Sequence, residues 1–214
     1  MTILIFANGD LERGPWLQPY LAEASLIIAA NGGAGHLYPL QRPPDIIIGD
    51  LDSLPEELRT WLEAAGTQIN QHPPDKNETD LELALLLAIQ HQQEIYVLGA
   101  LGGRLDQTLA NILLLAHPAL QGHQVQLITP YQRAWLVEGY SQVNGRPGDT
   151  ISLIPLDRDT HIAATTGLKW PLQDEALAFG LARGLSNLMT AAKATVQVTS
   201  GRLLCIHTQQ TWHR

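Results

Sequence analysis

Short, nearly uninterrupted apolar runs recur through the first 130 residues, and several stop abruptly at glycine beside aspartate or asparagine. The runs cover residues 3–7, 26–30, 45–48, 94–98 and 124–129. They are too short for helices and lack polar alternation, so they fit strands of a parallel sheet covered on both faces. Helical patterns lie between them. Ser53 with Glu56 three residues on makes a capping-box pattern, and Leu58, Trp61, Leu62 and Ala65 then share one face before Gly66. Thr79 with Glu82 repeats the device ahead of Leu81, Ala84, Leu85 and Ala88, and a third apolar helix runs from about 105 to 116, before Pro118. Strand–helix alternation predicts an α/β domain over residues 1–131, with a mainly parallel, Rossmann-like sheet and right-handed crossovers.

Beyond Tyr131 the texture changes. Strand-like runs at 134–138, 150–154, 195–199 and 202–207 predict a small all-β sandwich or barrel over 132–214. Arg146-Pro147-Gly148-Asp149 fits a type II turn, and Ser200-Gly201 separates the last two runs as a hairpin turn would. A domain with open edges and a modest core is expected to dock on the first domain or on a second subunit.

The 214 residues are 45% hydrophobic and 16% charged, enough to bury a core and too apolar for a disordered chain. The net charge of -8, with no run of lysine or arginine, argues against nucleic acid as the main partner. No apolar stretch approaches the roughly 20 residues of a membrane span. The opening Met1-Thr2-Ile3-Leu4-Ile5-Phe6 reads as a first strand rather than a signal peptide, so a soluble cytoplasmic protein is expected. The single cysteine, Cys205, sits in Leu203-Leu204-Cys205-Ile206 and reads as a buried, inert thiol.

Ligands of an open parallel sheet bind outside the carboxyl ends of its strands. The polar clusters fall there: Asn8-Gly9-Asp10, Asn31-Gly32-Gly33, Gly49-Asp50-Leu51-Asp52, and Gly102-Gly103-Arg104 with Asp106. Asp50 and Asp52, spaced i, i+2, share a side if the chain stays extended. Paired acids there suit Mg²⁺, which takes hard oxygen ligands and shares them with substrate phosphates; the plainer reading is two loop acids near a helix N-terminus. Asp80 opens its helix directly after Thr79, and Lys76 is a candidate phosphate cation. The glycines before Arg104 would let backbone N–H groups approach an anion, Arg104 could grip phosphate bidentately, and Asp106 could ligate metal. There is no P-loop pattern, no G-x-G-x-x-G opening a helix, and no zinc spacing among the eight histidines. His36, His91 and His123 read as surface residues, and Ser53 as a cap rather than a nucleophile. Trp170, before Pro171, suits either stacking on a flat ligand or plain packing.

Taken in order, these segments resemble the thiamine pyrophosphokinase (thiamine diphosphokinase) family over nearly the whole chain. Asn31-Gly32-Gly33-Ala34 is similar to its Asp-Gly-Gly-Ala segment, and Ile48-Gly49-Asp50-Leu51-Asp52-Ser53 to its Gly-Asp-x-Asp-Ser core. Lys76 through Asp80 resembles Lys-Asp-x-Thr-Asp, with one residue inserted or shifted near Asn77-Glu78. Gly103-Arg104-Leu105-Asp106-Gln107 resembles Gly-Arg-Phe-Asp followed by His or Gln. Gly167-Leu168-Lys169-Trp170 and Ser186-Asn187 resemble its C-terminal elements. Two departures stand out: Asn31 replaces the usual aspartate, and Leu188 follows Ser186-Asn187 where bacterial relatives often carry an acid.

The resemblance implies a homodimer with active sites between subunits, transferring the pyrophosphoryl group of ATP to thiamine and releasing AMP. It implies that Asp50, Asp52, Asp80 and Asp106 bind Mg²⁺ and the ATP phosphates as the catalytic acids. Arg104, Gln107, Lys76 and Thr79 are implied on the nucleotide, and Asn31, Trp170, Ser186 and Asn187 on thiamine. Rival expectations are a pyrophosphokinase for another alcohol, such as a hydroxymethylpterin, a non-catalytic nucleotide or thiamine sensor, and a phosphate-releasing hydrolase.

Overall fold

A computed structural model of the chain describes residues 1–52 and 54–210, which divide into two compact units between Pro130 and Tyr131.

The first unit is built on six strands: β1 (Thr2–Phe6), β2 (Ala24–Ala30), β3 (Ile46–Gly49), β4 (Gln68–Gln71), β5 (Glu94–Leu98) and β6 (Val125–Ile128). Every pairing among them is parallel, in the order β6-β5-β1-β2-β3-β4. The central strand β1 has all five residues buried, with Ile3, Leu4, Ile5 and Phe6 at 0% exposure. Each such side chain stabilises the fold by about 1.5–3 kcal/mol relative to exposure, which is why the layer needs apolar runs rather than alternation. The helices are α1 (Gln18–Glu23), α2 (Ala34–Leu37), α3 (Glu56–Ala64), α4 (Asp80–Ala88) and α5 (Leu105–Leu113).

Local expectations meet the structure unevenly. Thr79 caps α4 by accepting the Glu82 N–H at 3.1 Å, and α5 is followed by one tighter turn ending at Ala116. Helix α3 begins at Glu56 with Pro55 at its N-cap, so Glu56 is the first helical residue rather than the third of a capping box; Ser53 itself lies outside the described residues. Strand β4 carries no apolar run because it is the edge of the layer, where Gln68 and Ile69 face solvent. No helix among the described residues is long and apolar enough to cross a membrane.

The second unit contains β7 (Gln132–Val137), β8 (Tyr140–Asn144), β9 (Thr150–Pro155), β10 (Asp159–Thr166), β11 (Gln173–Ala178), β12 (Asn187–Leu188), β13 (Lys193–Ser200) and β14 (Leu203–Thr208). They pair antiparallel in two sets, β12-β9-β14-β7 and β11-β10-β13-β8. One hydrophobic core joins both sets, with Ile151, Leu153, Leu203 and Cys205 from the first and Ile162, Val196 and Val198 from the second. Cys205 is fully buried, and burial pushes its thiol up to about 12. The expected hairpin at Ser200-Gly201 is not one. Strand β13 pairs with β8 and β10, whereas β14 pairs with β7 and β9, so the turn crosses between sheets. Alternate side chains on both strands point into the shared core, and Asp157 holds the crossing by accepting from the Arg202 backbone and guanidinium at 2.7 Å each.

The Arg146–Asp149 turn is present, closed by the Asp149 N–H on the Arg146 carbonyl at 3.0 Å with Gly148 at φ 95. Its aspartate is buried at 4% exposure beside His207, 2.9 Å away. Burial alone would raise the Asp149 pKa, but the N–H of Gln210, the His207 ring and the N–H of Arg146 outweigh it and hold the carboxyl below its usual range. A carboxyl depressed in the folded state stabilises above its unfolded value, about 3.9, and that stability is lost as pH falls through the folded value. Asp149→Asn is therefore expected to cost about 1–3 kcal/mol at neutral pH and to flatten the acid limb of a melting-temperature profile. A profile parallel to that of the unmodified protein would contradict this account.

Candidate active site

In the parallel layer the strand order runs outward from β1 in one direction and from β5 in the other. The loops after these two neighbours therefore diverge and leave a crevice at their carboxyl ends. A cleft of about 570 Å³ opens there, lined by Asn8, Gly9 and Asp10 after β1, Asn31 after β2, and Gly102, Arg104 and Gln107 after β5. Lys76, Thr79 and Asp80 at the start of α4 complete the wall. Two backbone bonds, Gly9 N–H to Gly99 and Asp10 N–H to Leu101 at 2.6 and 2.7 Å, tie the β1 and β5 loops together.

Asp50 and Asp80 converge through Asn31, whose Nδ2 donates to Asp50 Oδ1 at 2.9 Å and Asp80 Oδ2 at 3.0 Å. Lys76 Nζ lies 3.0 Å from Asp80 Oδ1, one turn earlier along the chain. That ion pair is the contact of Asp80 Oδ1, while the Asn31 Oδ1 beside it is buried with no hydrogen-bond partner. Lys76, the candidate phosphate cation of the sequence, has its side chain 12% exposed and packed against the acid.

Asp52 behaves differently. The chain is not extended between the two acids, because Leu51 takes φ 61 and buries its side chain to 1% exposure. The i, i+2 argument therefore fails: Asp52 is exposed and reaches Asp50 only by its backbone N–H, 3.3 Å from Oδ1. Asp106 is also exposed and bonded to Arg104, whose Nε donates at 3.0 Å and Nη2 at 2.5 Å. Arg104 and the Gln107 N–H hold the Asp106 carboxyl below the usual range, and Asp106 raises the guanidinium. Among the described residues no three acidic, histidine or cysteine side chains are grouped to hold a metal by themselves.

The donor set still fits Mg²⁺. The ion is ordinarily held by one or two carboxylates, with water and phosphate oxygens completing its shell. Asp50 Oδ1 and Asp80 Oδ2 lie within 3.0 Å of a single nitrogen, Asp80 Oδ1 carries only the Lys76 ion pair, and the buried Asn31 Oδ1 beside them has no partner.

Sequence reading undervalued two residues. Asp10 lines the cleft and abuts Gly102, where a Cβ would lie 2.2 Å from Asp10 Oδ2. His36, expected on the surface, is half-buried on α2 and donates from Nε2 to the Gly9 carbonyl at 2.9 Å. Burial lowers its pKa, opposed by that carbonyl, so the ring braces the β1 loop from behind. No spacing rule flags either contact, since each joins segments far apart in the chain. His91 is exposed and His123 half-buried.

Within the second unit, Trp170 and Asn187 are joined. The Trp170 N–H donates to Asn187 Oδ1 at 3.1 Å, and Asn187 Nδ2 donates to the Trp170 carbonyl at 2.6 Å. This leaves the indole 53% exposed, with Lys169 Nζ 4.6 Å from its ring centre. Ser186 is exposed in a left-handed conformation (φ 55), its N–H on the Ser152 hydroxyl at 3.1 Å.

Fold and cleft together place the chain among α/β proteins that take a small ligand beyond the carboxyl ends of a parallel sheet. Comparison with known proteins narrows this. Residues 17–127 match the thiamin pyrophosphokinase catalytic domain and 141–203 the thiamin pyrophosphokinase vitamin B1 binding domain. The thiamine pyrophosphokinase of Bacillus subtilis (strain 168) is 30% identical over 208 residues, covering 96% of this chain and 97% of its own. Thiamine pyrophosphokinase 1 of Arabidopsis thaliana is 30% identical over 243 residues, covering 97% and 86%. The crystal structure of the Bacillus subtilis thiamine pyrophosphokinase superposes with a TM-score of 0.88 at 29% identity, covering 98% of this chain and 99% of that one. The chain belongs to the thiamine pyrophosphokinase family.

Gly102 sits at φ 90 against the Asp10 carboxylate. Gly102→Ala is expected to cost roughly 1–3 kcal/mol in urea unfolding through backbone strain and displacement of Asp10; an unchanged midpoint would contradict the tight β1–β5 junction.

Proposed function

We propose that the protein transfers the pyrophosphoryl group of ATP to the hydroxyethyl group of thiamine, giving thiamine diphosphate and AMP. The observation that carries this reading is the meeting of Asp80 and Lys76 in one cleft at the β1–β5 crevice, with Asp50 joined to Asp80 through the Asn31 amide, in a family member matched along both of its domains. The cleft, at about 570 Å³, is of a size that takes a nucleotide-sized ligand.

In this reading the first unit is a Rossmann-like layer that holds the nucleotide, and each residue has a distinct task. Asp50 and Asp80 would hold Mg²⁺, with Asp52 and Asp106 contributing from the rim. Bound Mg²⁺ would offset negative charge on the phosphate oxygens during transfer. Lys76 adds a fixed positive charge beside Asp80, and Arg104 exchanges its carboxylate partner for phosphate oxygens, which its planar fork grips equally well. Thr79 keeps α4 in register, and Gln107 lies at the nucleotide rim. The thiamine hydroxyl attacks the β-phosphorus in line, the bond from that phosphorus to the α–β bridging oxygen breaks, and AMP leaves with the oxygen. The alcohol proton passes to a carboxylate of the cleft. Most of the rate comes from alignment and preset charge.

Thiamine is held by Trp170, Ser186, Asn187 and Asn31, with the first three supplied by a second copy of the chain in a homodimer. Trp170 offers its exposed face to the cationic ring system. The dimer is supported by Leu105, Leu109 and Leu113, spaced one turn apart along α5 and 81%, 54% and 49% exposed. An apolar stripe on the helix that bears Asp106 and Gln107 would be covered by the partner at the mouth of the site.

Incubation with ATP, Mg²⁺ and thiamine should release AMP in step with thiamine diphosphate. Release of ADP, or of AMP independently of thiamine, would overturn the reading, and a hydroxymethylpterin in the acceptor panel separates the nearest rival. Asp50→Asn and Asp80→Asn should each lower kcat/KM by about a hundredfold or more with the fold retained by circular dichroism. Leu109→Glu should convert a dimer to a monomer in light scattering; an unchanged mass would remove α5 from the interface.

A further inference from the structure

Asn31 is bonded in an unusual way for a residue in a polar cleft. It leaves β2 with φ 47, which turns its side chain between the loops after β3 and before α4. Both hydrogens of its amide are committed to carboxylates, at 2.9 Å to Asp50 and 3.0 Å to Asp80. Its own oxygen is buried and accepts nothing. The arrangement is close-packed: a Cβ on Gly49 would lie 2.9 Å from the Asn31 Cβ and 3.1 Å from the Asp80 Cγ.

Two carboxylates aimed at one point repel unless something positive or hydrogen-bearing lies between them. Lys76 reaches only Asp80, on its other oxygen. The group between Asp50 Oδ1 and Asp80 Oδ2 is the Asn31 amide, which satisfies both at the cost of an orphaned acceptor. An aspartate at this position would remove both donors and add a third negative charge.

We propose that the Asn31 amide is a stand-in for the divalent cation. It holds Asp50 and Asp80 together in the metal-free protein and competes with the cation for the same oxygens. The inference rests on the magnesium reading of the site given above. Its consequence is that metal alone binds weakly, because entry forfeits two hydrogen bonds to charged acceptors, and that the metal enters efficiently with the nucleotide phosphates that complete its shell. Asn31 is thus a positioning residue that sets the order in which the site is filled.

The test uses Mn²⁺ as the probe, titrated by the loss of its free electron-spin-resonance signal, together with melting in EDTA, for the unmodified protein, Asn31→Asp and Asn31→Ala. Asn31→Asp should melt lower in EDTA, bind Mn²⁺ roughly tenfold more tightly, and gain more melting temperature from the metal. Asn31→Ala should also melt lower in EDTA while binding Mn²⁺ at least as tightly as the unmodified protein, since the competing donor is gone. If Asn31→Asp does not fold without metal, Asn31→Ala decides. Melting of Asn31→Ala unchanged in EDTA would overturn the stand-in role. So would a roughly tenfold loss of its Mn²⁺ affinity, which would make the Asn31 oxygen a ligand instead. Absence of Mn²⁺ binding in all three proteins, with or without ATP, would overturn the magnesium reading, while the EDTA melting would still decide whether the amide holds the two acids.

Discussion

Everything at the cleft depends on six strands that all run the same way. Parallel pairing sends every β-to-α connection to one rim of the layer, and the reversal of order between β1 and β5 parts the connections at one place on it. The buried runs enforce this: β1 has no solvent-facing residue, so the layer must be covered on both faces and its polar groups can emerge only at strand ends. Helix α4 packs on β1, β2 and β3, which carries its first residue, Asp80, to the rim beside residues that lie some distance away in sequence. Burial of hydrocarbon is thus what brings two like charges together.

Gathering like charges is costly, and the site offsets that cost locally. Asn31 supplies two N–H donors, Lys76 one cation, and the Asp52 N–H a weaker third contact to Asp50. Arg104 and Asp106 neutralise each other at the exposed rim. These two arrangements differ in kind. The first is half-buried and held by directed contacts; the second is solvent-screened and weak. A rigid floor with an adaptable rim suits a reaction in which a triphosphate must be aligned on one side and then released as a monophosphate.

Legibility from sequence followed the physics of each segment. The strands of the parallel core were readable because burial on both faces leaves no polar residues in them. The Thr79 cap was readable because it is local. Strand β4 and the long β10 were not, since an edge strand and a half-exposed strand containing Asp159, His161 and three threonines carry no apolar run. The Ser200-Gly201 turn misled because a hairpin and a sheet-to-sheet crossing share the same turn chemistry; what separates them is Asp157, more than forty residues earlier, gripping Arg202. His36 bracing Gly9 was invisible for the same reason.

The aspartate pair in Gly49-Asp50-Leu51-Asp52 shows how local spacing can misjudge geometry. Alternation along an extended chain would have placed both carboxylates on one side, but Leu51 is drawn into the core beneath the sheet end and takes a left-handed backbone to get there. That bend separates the acids. It leaves Asp50 facing Asn31 and Asp80 while Asp52 turns to solvent, with the Arg59 guanidinium on the Leu51 carbonyl at 3.3 Å fixing the outer face of the bend. The leucine between the acids is therefore not a spacer. Its burial parts the two carboxylates, leaving Asp50 against the Asn31 amide and Asp52 exposed, so an apolar side chain sets where each acid points.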